Sequence, residues 1–216
     1  GGPVGALRGL SKRVCVLASG GFDSCALISD LLVSGHEVHP LYVRSGFYWE
    51  KAELHWLGRF LKAQRGALKP LILADMPMGW LMPGHWSLSG RGVPQAEAQW
   101  DSVYLPGRNL LLLSQAGVYA ATHGIPTVVL GVLKGNPFGD STPRFLKDME
   151  ASINDALRAR LRVAAPYARL GKKEVLARLG AGFRLDLTFS CLRPKGVRPC
   201  GRCSKCAETG GRTSHS

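Results

Sequence analysis

The segment Ser19-Gly20-Gly21-Phe22-Asp23-Ser24 stands between a short apolar run, residues 14–18, and an apolar-periodic stretch, residues 25–33. That order predicts a strand, a tight glycine turn and a helix start. The glycine pair lets the backbone turn sharply and approach a ligand closely. The helix start offers N–H groups and a partial positive charge, so the turn is a ready site for an anion. Ser19 and Ser24 can add hydroxyl donors. Asp23 would repel a phosphate directly, and is better suited to holding Mg²⁺ or orienting the loop. A glycine pair alone would signal only a turn; the serines and the aspartate at fixed spacing after a strand make it a phosphate loop. It is not the Walker type, because no Gly-Lys-Ser/Thr follows.

Apolar runs alternate with helical spacing along the rest of the chain. Strands are expected at residues 14–18, 37–43, 69–73, 127–131 and 163–165, with helices at 24–33, 49–65, 109–123, 144–160 and 170–180. Residues 77–106, rich in Gly, Pro, Trp and Ser, read as a long irregular segment of the functional kind. Residues 134–143 form a second polar loop. Alternating strands and helices imply an α/β, doubly wound parallel sheet covered on both faces. Ligands then bind beyond the carboxyl ends of the strands. There the phosphate loop, the residues after the second strand and residues 131–140 would meet. The organisation expected is a flexible N-terminus over residues 1–12, an ATP-binding domain over 13–188 and a metal-binding segment over 189–216.

Net charge is +13, from 28 basic and 15 acidic residues, which favours anionic partners. The basic residues are spread along the chain, so a nucleic-acid partner is not the favoured reading. No apolar stretch approaches the ~18 residues that cross a bilayer, and no leader pattern is present; the expectation is a cytoplasmic protein.

Six cysteines divide into two groups. Cys15 and Cys25 fall inside the first strand and first helix, where buried, inert thiols are the rule. Cys191, Cys200, Cys203 and Cys206 form the pattern C-x8-C-x2-C-x2-C. Four thiolates in so short a span suit a tetrahedral, structural Zn²⁺ site, one per chain. A redox pair, a persulfide carrier and an iron–sulfur site are the alternatives.

Four features together resemble the 7-cyano-7-deazaguanine synthase family of the pyrophosphate-loop ATPase superfamily. They are the loop at 19–24, Tyr104-Leu105-Pro106-Gly107-Arg108-Asn109, Gly131-Val132, and the four terminal cysteines. The resemblance implies an adenine nucleotide alpha-hydrolase-like fold. It also implies the conversion of 7-carboxy-7-deazaguanine to its nitrile with ATP, Mg²⁺ and ammonia, through an acyl-adenylate and an amide. On that resemblance Asp23, Ser24 and Arg108 are candidate catalytic residues. Ser19, Gly20, Gly21, Phe22, Asp23, Ser24, Asn109 and Gly131 would bind the nucleotide, and the four cysteines would hold zinc. Arg108 can meet a phosphate or carboxylate bidentately, or pair locally at the start of a helix; Asn109 can equally cap that helix. The chain departs from the family after its second and fourth expected strands. There it carries Val43-Arg44-Ser45-Gly46-Phe47-Tyr48-Trp49-Glu50 and Gly135-Asn136-Pro137-Phe138-Gly139-Asp140-Ser141-Thr142-Pro143-Arg144. Such departures would mark a divergent branch with a different acceptor or an amide product.

The remaining candidates have two readings each. Asp140 either binds Mg²⁺ or a purine edge, or caps a turn; Lys134 either reaches phosphate or is solvated. Phe47, Tyr48 and Trp49 can stack on a base, although core packing of at least two is commoner. Trp80, Trp86 and Trp100 of the long segment either shape a pocket wall or make a subunit contact, and a homodimer is allowed. The competing functions are an adenylating enzyme acting on tRNA or protein, and a nucleotide-binding module without turnover.

Overall fold

In the computed structural model, residues 7–208 are described. The expected flexible stretch therefore falls partly, at residues 1–6, outside the described residues, as does the end of the metal segment, residues 209–216.

Five strands form one sheet: β1 (Arg13–Leu17), β2 (Glu37–Arg44), β3 (Ile72–Asp75), β4 (Thr127–Leu130) and β5 (Arg162–Ala164). Every pairing is parallel, in the order β3-β2-β1-β4-β5. The helices are α1 (Phe22–Val33), α2 (Glu50–Ala63), α3 (Trp86–Ser89), α4 (Arg108–Thr122), α5 (Pro143–Leu157), α6 (Lys172–Leu179) and α7 (Ser204–Glu208). Val14 to Leu17 and the whole of β4 are buried, because helices cover both sheet faces. The alternation of side chains divides the core: Val14 and Val16 pack under α1 and α2, Cys15 and Leu17 under α4 and α5. Cys191, Leu192, Cys203 and Cys206 belong to the first of these clusters, so the cysteine segment packs onto the main body.

The order reverses between β1 and β4, which is where an open α/β sheet leaves a crevice for a ligand. Leu17 and Leu130 are register partners at the ends of those strands. The loops that follow them therefore start side by side.

One expected strand is shifted toward its C-terminal end. Residues 69–73 were the sequence candidate for β3, but the strand is Ile72–Asp75. Pro70 has no N–H for the ladder, and upstream of it only an isolated Val38–Leu68 bridge forms. α1 begins at Phe22, two residues before the expected start. The long segment is not wholly irregular: it holds α3 and a 3-10 turn, Trp100–Val103. No helix among the described residues is long and apolar enough to cross a membrane.

Candidate active site

The phosphate loop is organised by its own two serines. The Ser19 N–H donates to Ser24 Oγ at 3.1 Å, and the two hydroxyls lie 3.2 Å apart. Ser24 Oγ donates to the Gly21 carbonyl at 3.2 Å, and the Gly21 N–H reaches Ser19 Oγ at 3.3 Å. Gly20 has φ +74°, a conformation that glycine adopts without strain. The N–H groups of Gly20, Phe22, Asp23 and Ser24 have no acceptor among the described residues. They are the open donors of a helix start, and suit an anion. Phe22 contributes only backbone here, since its ring is buried edge-on against Phe183.

Asp23 sits at the first turn of α1, with its carboxyl pushed up to about 6 by desolvation, against the opposing charges of Lys205 and Lys172. Those lysines are a signal the sequence did not reveal. Lys172, at the start of α6, holds its ammonium over the Phe22 ring at 5.1 Å. Lys205 reaches the loop's field from α7, inside the cysteine segment, where it also pairs with Glu208 at 2.9 Å. Lys134 is exposed.

The opposite wall comes from β4 and α4. Gly131 faces Asp23 so closely that a β-carbon there would stand 2.8 Å from the Asp23 carbonyl carbon. Asp140 takes the capping role: its Oδ2 accepts the Asn109 N–H at 2.9 Å. Asn109 itself is not the cap, which is Gly107 at φ +65°. Asp140 thereby ties the loop after β4 to the start of α4, and Tyr104 stacks on Phe138 at 5.0 Å across the same seam. Arg108, first residue of α4, lies over the Phe47 ring at 5.6 Å. Its Nε is buried with no hydrogen-bond partner among the described residues. Phe47 and Trp49 are buried and stacked at 4.8 Å, whereas Tyr48 is half-exposed.

Sequence reasoning missed Glu53 and Tyr42. Glu53 is buried on α2 and accepts a 2.6 Å hydrogen bond from the Tyr42 hydroxyl. Desolvation raises its carboxyl to about 7, opposed by the Arg108 charge and the Tyr42 bond. Nothing in the spacing of α2 marks Glu53 as other than a surface glutamate; its burial depends on tertiary packing.

The four terminal cysteines converge. Their sulfurs all lie within 4.8 Å of one another, with Cys203–Cys206 at 3.5 Å, Cys200–Cys206 at 3.9 Å and Cys191–Cys203 at 4.0 Å. Four ligands at Zn–S ≈ 2.3 Å around a tetrahedral ion stand about 3.8 Å apart, so the set fits one metal ion. The Leu192 N–H points at Cys203 Sγ and the Cys200 N–H at Cys191 Sγ, at 3.4 and 3.2 Å, which favours thiolates there. Cys15 and Cys25 are buried and are not among these four, and burial pushes both thiols up, Cys15 to about 12. The metal segment meets the phosphate loop directly: the Phe189 N–H donates to the Gly20 carbonyl at 2.8 Å. It meets α2 through Trp56 Nε1–H, which donates to the Val197 carbonyl at 2.7 Å.

Comparison with known proteins places this architecture. Residues 13–211 match the sequence profile of the family described as "Queuosine biosynthesis protein QueC". The chain is 30% identical over 204 residues to 7-cyano-7-deazaguanine synthase 1 of Desulfitobacterium hafniense, covering 91% of this chain and 89% of that one. It is 32% identical over 209 residues to the 7-cyano-7-deazaguanine synthase of an Anaeromyxobacter strain, with the same two coverages, 91% and 89%. Among solved structures, a 4-thiouridine synthetase in complex with RNA and bound ATP superposes with a TM-score of 0.54 at 18% identity. The match covers 94% of this chain and 50% of that one, and shows a shared fold.

Proposed function

This chain belongs to the QueC family of queuosine biosynthesis proteins, and from that premise we propose that it is an ATP-dependent carbon–nitrogen ligase making 7-cyano-7-deazaguanine. The observation that carries the reading is the set of open N–H donors at Gly20, Phe22, Asp23 and Ser24, placed where the strand order reverses. A triphosphate tail would be the ligand for those donors. Its departure as pyrophosphate would leave negative charge on oxygens that preorganised donors stabilise.

The reaction balances in two activations. The acceptor carboxylate attacks the α-phosphorus of ATP, forming the acyl-adenylate and releasing pyrophosphate. Ammonia adds to the acyl carbon, and AMP and a proton leave, giving the amide. The amide oxygen then takes a second adenylyl group from ATP with loss of pyrophosphate, and departure of AMP and protons gives the nitrile. Ser19 and Ser24 would orient the pyrophosphate. Asp23 would hold Mg²⁺, whose charge offsets that of the phosphates. Arg108, with a buried Nε left for a ligand to engage, would meet the carboxylate or the transferred phosphate. Asn109 and Gly131 would line the nucleotide side. Zinc on Cys191, Cys200, Cys203 and Cys206 would contribute folding energy and no open coordination position.

The test is mass spectrometry of the products formed from ATP, Mg²⁺, ammonium and 7-carboxy-7-deazaguanine. The reading expects the nitrile, with AMP and pyrophosphate. Recovery of unchanged acid beside unchanged ATP would refute it, and accumulation of the amide would limit it to the first activation.

A further inference from the structure

Basic residues that stand far apart in sequence are gathered on one surface by the fold. On α2, Lys51, His55 and Arg59 are exposed. They recur every four residues, so a helical rise of about 1.5 Å per residue sets them in a row, about 6 Å apart along the axis. No acid shares that row: Glu50 is partly buried and turned to Arg44 and the Gly46 N–H, and Glu53 is buried. The row continues onto the cysteine segment through one buried side chain. The Arg59 guanidinium lies over the Trp56 ring at 4.7 Å, and the His55 ring meets it edge-on at 5.4 Å. Trp56 Nε1–H donates to the Val197 carbonyl at 2.7 Å. Val197 sits in a tight turn closed by Lys195 and Arg198, whose backbones exchange hydrogen bonds of 2.9 and 3.0 Å. Both of those side chains are exposed. Lys51, Arg59, Lys195 and Arg198 make no ion pair among the described residues. Like charges gathered in this way repel one another, and an anion laid across them relieves the repulsion.

The surface has no apolar anchor, since Trp56 is buried beneath it and Val197 is partly buried. A protein partner needs such an anchor at the centre of its footprint, and protein–protein interfaces are poor in lysine. A row of cations without one suits a phosphodiester backbone, whose regular charges supply most of its affinity for proteins. We infer that α2 and the turn at residues 195–198 form a docking surface for a nucleic-acid strand, held by its phosphates without recognition of its bases. The two elements that carry this surface also abut the phosphate loop. The Glu53 carbonyl of α2 is 3.0 Å from where a β-carbon on Gly20 would stand, and the Phe189 N–H donates to the Gly20 carbonyl at 2.8 Å. The surface requires nothing of the adenylating reaction proposed above.

In the experiment the full chain is titrated into a fluorescein-labelled single-stranded RNA of about 20 nucleotides, and anisotropy is read from about 50 to 200 mM salt. Binding is expected to weaken steeply with salt, log K falling by about 3 per decade for four engaged phosphates at about 0.7 each. Arg59→Glu with Arg198→Glu should weaken binding at least tenfold at the lowest salt. The control is Arg158→Glu with Arg160→Glu, the same change of net charge in an exposed basic stretch between α5 and β5. It should cost less than threefold. Should Arg59→Glu unsettle Trp56 and lower the melting temperature, Lys51→Glu with Lys195→Glu decides in its place, since it leaves Arg59 on the indole. An absence of binding at the lowest salt, or equal losses in the two charge-reversed pairs, would overturn the inference. Displacement of the RNA by poly-glutamate as readily as by unlabelled RNA, at equal concentration of charge, would also overturn it and assign the surface to an acidic protein.

Discussion

Gly131 and Asp23 are in backbone contact across the reversal of the sheet: a β-carbon on Gly131 would lie 2.8 Å from the Asp23 carbonyl carbon and 2.9 Å from its oxygen. The strand that ends at Leu130 therefore sets how far the phosphate loop can lean, and that contact leaves no room for a side chain.

Gly131→Ala should displace the loop. Overpacking of this kind costs about 1–3 kcal/mol, and the shifted donors should weaken ATP binding at least tenfold. Gly139→Ala is the control, because a β-carbon at Gly139 meets nothing within 4 Å. Calorimetric titration with ATP and thermal melts of both variants check this. Equal behaviour of the two would show that the contact is unimportant.

Asp140 caps the first turn of α4 through the Asn109 N–H. Asp140→Ala should lose about 1 kcal/mol of stability, and Asp140→Asn, which keeps an acceptor, should recover most of it. If Asp140 instead binds Mg²⁺, both variants would raise the Mg²⁺ requirement alike with melting temperatures unchanged.

Glu53 titrates in the range of ordinary buffers, near pH 7, because burial outweighs Arg108 and Tyr42, with Glu50 adding to the rise. An acid raised on folding binds its proton more tightly in the native state. Its stabilising contribution is complete below its ordinary value of 4.5 and is lost as pH climbs through about 7. At 1.36 kcal/mol per unit the swing is on the order of 3 kcal/mol. Melts of Glu53→Gln against the parent from pH 5 to 8 should therefore move in the variant's favour as pH rises. A difference independent of pH would contradict the assignment.

The strand–turn–helix at residues 13–33 was legible because local pattern decides it: an apolar run, two glycines and a helical repeat. The cysteine cluster was legible because its ligands are close in sequence. β3 was expected too early because Pro70, just ahead of the apolar run, cannot donate to the ladder, and the ladder partner, not composition, fixes its start. The parts of the site that escaped notice are those assembled by tertiary packing. Glu53 looks like any helical glutamate, and Lys172 looks solvated, until α2 and α6 pack beside the loop. Asp140 offered two roles in sequence, and the distance to Asn109 shows the capping bond.

The cysteine segment should affect more than its own folding, because Phe189 hydrogen-bonds the Gly20 carbonyl. Metal analysis is expected to return one zinc per chain with no labile sulfide. Cys200→Ser, or treatment with a strong chelator, should lower the melting temperature and weaken ATP binding together. An unchanged melt with metal gone would contradict the structural role; iron and labile sulfide would replace zinc with a cluster.

The account depends most on where the nucleotide sits. A crystal structure of the protein with ATP and Mg²⁺ should show the β- and γ-phosphates on the N–H groups of Gly20, Phe22, Asp23 and Ser24, beside Gly131. A triphosphate bound elsewhere, with residues 19–24 unengaged, would contradict it.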